Sequence, residues 1–147
     1  MLPGYTYLGG CSLGGHFSLE TLLRRPGDFR AWGGVQTAIG AAAGRTYAAR
    51  LASLSGSRDL LVETSGGDPF RAGNRALSAG LEQAGVARSF VELPGPHDQV
   101  WLRTSGTAAM IQWFDSLPRP ERRQDPPDRR AAGPEASNVL ALRPAPP

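Results

Sequence analysis

The apolar positions of the chain switch repeatedly between strand-like runs and helical spacing. "GYTYLGG" is a short β run, Tyr5 to Leu8, closed by glycines. "HFSLETLLRRP" follows, with Leu19, Leu22 and Leu23 on one helical face, Arg24 and Arg25 in the last turn, and Pro26 as a stop. "FRAWGGVQTAIG" (29–40) reads as a buried strand and "AAAGRTYAARLASLSG" (41–56) as a helix. Leu60, Leu61 and Val62 form the centre of another strand, which runs into a loop of Gly66, Gly67, Asp68 and Pro69. Across 71–85, Ala76, Leu77, Gly80, Leu81 and Ala84 recur at three-to-four spacing, with Gly85 as the C-terminal stop. "VARSFVELPGPH" supplies a further strand that ends at His97. "DQVWLRTSGTAAMIQWFDSL" then gives a last helix, with Trp101, Leu102, Ala109 and Trp113 inward and a bend at Gly106.

Strand and helix therefore alternate, the rhythm of an α/β fold with a mainly parallel sheet of about four strands and flanking helices. In such sheets ligands bind beyond the carboxyl ends of the strands. Ser12, Asp68 and His97 each fall just past such an end.

Ser12 stands in a G-C-S-L-G frame, but with 19 glycines among 147 residues that frame also arises by chance. Context carries the argument: a β run precedes it and a helix follows, as a nucleophile on a sharp strand-to-helix turn requires. A turn this tight calls for glycine on both sides, at Gly10 and Gly14, and Gly15 lets the helix pack close to the strand.

A serine nucleophile needs a base within hydrogen-bond reach, and the base needs a carboxylate to orient it. His97 competes with His16, which lies four residues past Ser12 on the following helix. For the acid, Asp59 precedes its strand, Glu63 lies inside it, and Asp98 adjoins His97 and suits a helix cap better. Asp68 is the preferred position, with an ordinary Asp-Pro turn as its alternative reading. The chain order Ser, Asp, His is that of the α/β-hydrolases.

The stretches "GGCSLGGHFSLETLLRRPGDFRAWGGVQTAIG", "SGGDPFRAGNRALSAGLEQAGV" and "ELPGPHDQVW" occur in order, and from about Tyr5 to Leu117 the chain resembles the esterase group of the α/β-hydrolase superfamily that includes esterase D-like enzymes, siderophore esterases and mycolyltransferases. The resemblance implies Ser12 as nucleophile, Asp68 as orienting acid, His97 as general base and the Leu13 backbone N–H as an oxyanion donor. It implies acyl transfer from a small-molecule carboxylic ester, with no metal or organic cofactor. Trp101 departs slightly from the spacing at which an aromatic follows the histidine in that group. In that fold the serine elbow follows the fifth strand, whereas eleven residues precede Ser12 here. The expectation is thus the C-terminal half of an α/β-hydrolase fold over 1–117, with the second oxyanion donor absent, activity reduced or lost, and a sheet edge near Tyr5–Leu8 open to homo-oligomerisation.

Composition adds boundaries. Residues 118–147 are rich in proline and arginine, with "NVLAL" as their brief apolar run, and read as a disordered tail. The net charge of +3 comes mostly from that tail, so no nucleic-acid surface is expected. The single cysteine, Cys11, excludes an intramolecular disulfide and is expected buried beside the elbow. With neither a leader pattern nor a membrane-length apolar run, the expectation is a cytoplasmic chain without a membrane span.

Overall fold

The computed structural model describes residues 6–118. The tail reading, apart from Pro118, and the first residue of the Tyr5–Leu8 edge fall outside that range. The described chain is an α/β fold with one four-stranded parallel sheet in the order β1-β2-β3-β4. The strands are β1 (Tyr7–Cys11), β2 (Ala31–Val35), β3 (Asp59–Gly67) and β4 (Ser89–Pro96). Helices α1 (Leu13–Arg24), α2 (Ala41–Ala52) and α3 (Arg71–Gln83) make the crossovers between them.

The alternation of side chains along the inner strands divides the core into two layers. Trp32, Leu60 and Val62 face α1, α2 and α3, where they bury Leu19, Leu22, Leu51, Leu77 and Leu81. Each such leucine removed from water contributes about 1.5–3 kcal/mol. The Trp32 indole N–H, carried into this layer, donates to Ser18 Oγ at 2.9 Å and so costs no unpaired donor. Val35 and Leu61 face the other way, against Trp101 and Met110 of the C-terminal segment.

That segment is the expected last helix with an irregularity ending at Gly106: α4 (Gln99–Trp101), a π-helical turn (Leu102–Gly106) and α5 (Thr107–Ser116) follow one another without a break. The irregularity has a packing cause. A Cβ at Gly106 would lie 2.6 Å from Val35 Cγ1 and 2.9 Å from the Trp101 ring, so the turn passes where only a bare backbone fits. The expected strand at 29–40 is also shorter, because Gln36 turns out of it with φ 46°. No helix among the described residues is long and apolar enough to cross a membrane.

Candidate active site

The turn from β1 into α1 puts Ser12 at φ 52° and ψ −120°, a sparsely populated conformation that costs about 1–3 kcal/mol and persists only where the surroundings impose it. Here they do. The Ser12 amide donates to Val35 O at 2.8 Å, and its carbonyl accepts from His16 N at 3.2 Å and Ala38 N at 3.0 Å. The end of β2, the loop after it and the first turn of α1 thus hold the Ser12 backbone together.

The glycines around it correct one expectation. A Cβ at Gly10 would approach the Gly14 carbonyl group to 2.5 Å, as a tight elbow requires. A Cβ at Gly14 would meet nothing within 4 Å, because that face of α1 points to open space. The second constrained position is Gly15, whose Cβ would sit 2.9 Å from Thr37 Oγ1 and 3.0 Å from Gly10 O. Cys11 is half-buried rather than buried, with Sγ 3.2 Å from Thr107 Oγ1.

Ser12, His97 and Asp68 meet although they come from three strand ends. Ser12 Oγ lies 3.0 Å from His97 Nε2, and His97 Nδ1 lies 3.1 Å from Asp68 Oδ1. An ionised carboxylate only accepts, so Nδ1 carries the proton and Nε2 presents its lone pair to the serine hydroxyl. Phe70 sets the edge of its ring against the imidazole, 5.5 Å between centroids at 69°.

The other titratable residues weighed from the sequence lie elsewhere. His16 Nδ1 is 3.1 Å from Ala38 O and Nε2 is 3.1 Å from Tyr47 OH. Asp98 caps α4 by accepting from Trp101 N at 2.8 Å, and Asp59 pairs with Arg30. Glu63 is fully buried with neither carboxylate oxygen hydrogen-bonded among the described residues. Desolvation pushes its pKa up to about 7.

Asp68, by contrast, is surrounded by donors that the sequence reading did not single out. Thr64 Oγ1 donates to Oδ2 at 2.7 Å, Asn74 Nδ2 to Oδ2 at 3.3 Å and Phe70 N to Oδ1 at 2.9 Å. The available signal was Asn74 itself, a polar residue three and seven positions before Leu77 and Leu81 on the buried face of α3.

No protein-family model matches the chain, and no curated protein matches it. Solved structures of hydrolase fold do. A ferulic acid esterase is 16% identical with a TM-score of 0.56, over 72% of this chain and 48% of that one. FphF, a fluorophosphonate-binding serine hydrolase of Staphylococcus aureus solved with substrate bound, is 15% identical with a TM-score of 0.58, over 74% of this chain and 53% of that one. The chain spans about half the length of each. What they share with it is the fold: parallel strands in an α/β arrangement with flanking helices.

Proposed function

We propose that the chain carries the acyl-transfer centre of a serine hydrolase acting on carboxylic esters. One observation carries this reading: a serine in a strained strand-to-helix turn, 3.0 Å from an imidazole whose other nitrogen lies 3.1 Å from a buried carboxylate. Ser12 Oγ attacks the ester carbonyl while His97 Nε2 takes its proton. The Leu13 N–H, at the start of α1, faces the developing oxyanion. Collapse expels the alcohol, protonated by the imidazolium, and leaves Ser12 acylated. Water, deprotonated by His97, then releases the acid. Asp68 keeps the imidazole in the required tautomer and stabilises its charged form. The names of the two structural neighbours, an esterase and a fluorophosphonate-binding serine hydrolase, support this chemistry, and the narrower esterase D-like grouping is part of the same proposal.

The test is a fluorophosphonate probe with a short-chain nitrophenyl ester assay beside it. Labelling and turnover should both vanish in Ser12→Ala. Labelling that survives the substitution would place the nucleophile elsewhere.

A second reading rests on β1, which among the described residues has a strand neighbour on one side only. In it the chain is an inactive hydrolase fragment that associates through this edge, hydrolysing esters no better than Ser12→Ala. Ser12-dependent turnover by a monomer, sized by light scattering, would eliminate it.

A further inference from the structure

The ladder between β3 and β4 shifts register just before His97. Ser65 pairs with Leu93 and Gly67 with Pro96, so two steps along β3 match three along β4. Such a bulge disrupts the ladder locally, and side chains donate to three successive backbone carbonyls there. Trp101 Nε1 donates to Pro94 O at 2.9 Å, Ser65 Oγ to Gly95 O at 2.7 Å, and Gln36 Nε2 to Pro96 O at 3.0 Å.

The second Nε2 proton of Gln36 goes to Ser65 Oγ at 2.6 Å, and the serine's own proton goes on to Gly95 O. Every proton in this relay is placed, because the carbonyls at its far end only accept. Gln36 and Ser65 are both fully buried. Gln36 also holds a left-handed φ of 46°, unusual for a non-glycine residue, with its amide donating to Glu63 O at 2.7 Å. Gly95, at φ 138°, admits the Trp101 ring to a point where a Cβ would be 2.0 Å from Nε1. A loop histidine with no task needs no such restraint. One that must bridge Ser12 and Asp68 from a third strand end does.

We propose that Gln36 and Ser65 are positioning residues for His97. Through the Gly95 and Pro96 carbonyls they set the backbone from which the imidazole reaches Ser12 and Asp68. The inference rests on reading His97 as the general base, and its test separates the two.

The chain has two histidines, so full-length protein labelled with 15N in its imidazoles shows two ring systems, and His16, held by Ala38 and Tyr47, is the internal control. At alkaline pH the wild-type His97 ring should be a single Nδ1-protonated tautomer. In Gln36→Met and Ser65→Ala the His97 signals should move to a mixture of tautomers while those of His16 stay. Fluorophosphonate labelling of Ser12 should slow by about a hundredfold, as expected for a base displaced by about 1 Å. An unchanged His97 tautomer in both variants overturns the proposal. If the wild type is never labelled yet the tautomer still shifts, the positioning role stands and the hydrolase reading falls. Should Gln36→Met lose the folded His16 signal, Ser65→Ala, which deletes a single oxygen, decides the matter alone.

Discussion

The corner formed by the ends of β3 and β4 and the flank formed by β1 and α1 solve opposite problems. At the corner, Asp68 receives three donors besides His97, and three successive carbonyls before His97 each have a side-chain partner. At the flank, β1 has one strand neighbour among the described residues, and Leu13 and Phe17, one turn apart on α1, are 56% and 63% exposed. Ser12 belongs to the flank by sequence and to the corner by contact. The proposed acid and base thus sit in a dense set of side-chain contacts, whereas the Ser12 backbone is held by Val35, Ala38 and His16 beside an exposed helix face. A group that must keep one tautomer gains most from a dense, low-dielectric hydrogen-bond network. A serine in the proposed role of nucleophile would need room in front of it for an acyl group, and the exposed Leu13 and Phe17 lie on the helix that begins there.

The sharpest way to break this contrast is Asp68→Asn. The amide oxygen can still accept from Thr64 and Asn74, but the NH2 would face His97 and favour the wrong tautomer, and it would leave the Phe70 N–H without its acceptor. The fluorophosphonate labelling rate of Ser12 should fall by about ten-thousandfold, with a loss of about 1–3 kcal/mol in unfolding free energy from the unpaired Phe70 N–H. A loss of less than tenfold would mean that the donors around Asp68 serve packing alone.

Glu63 extends the comparison to a second carboxylate five positions earlier, which has burial without partners. Its folded pKa is raised to about 7 from an ordinary 4.5, so the folded state favours the protonated form. The cost to stability is absent below the ordinary carboxylate range, grows as pH rises from 4.5 to about 7, and is constant above that. Glu63→Gln should therefore gain up to about 3 kcal/mol at pH 9 relative to its effect at pH 4, read from urea unfolding at both values. An equal effect at both would show that Glu63 finds a partner or water when charged.

The smallest change in stability is expected at the flank. Leu13→Glu with Phe17→Glu replaces two exposed side chains and should shift the unfolding free energy by no more than about 0.5 kcal/mol per site. If the flank is where copies of the chain meet, the same pair should lower the mass measured by light scattering toward that of a monomer. A mass that does not respond would move association to another surface, and with it the sense in which the flank is open.

Much of this architecture was legible along the chain. The switch between strand runs and three-to-four spacing predicts the alternating elements, and the four strands stand where the apolar runs do. The positions of Ser12, Asp68 and His97 just after strands are facts of local order, and a parallel sheet brings all its strand ends to one edge. The tight approach at Gly10 was legible for the same reason, since it involves residues four apart on one turn.

Other features were not legible, because they depend on which distant side chains converge. That Gly14 would face open space was not legible, nor was the approach of Thr37 from beyond β2, which adds to the close helix–strand contact expected at Gly15. Thr64 and Asn74 are near Asp68 in sequence, four residues before it and six after, but only the turn from β3 into α3 aims both side chains at the same carboxylate oxygen. Gln36 and Ser65 carry no local signal at all. Their proposed role depends on the slip of the β3–β4 ladder by one residue before His97, where their side chains donate to the Gly95 and Pro96 carbonyls. The sequence alone determined the succession of elements and the end of the sheet at which polar chemistry gathers, since both follow from short-range periodicity and the direction of the strands. Tertiary structure decided how each polar group there is partnered, because a hydrogen bond is fixed by register and packing to a few tenths of an ångström, and no pattern along the chain records that.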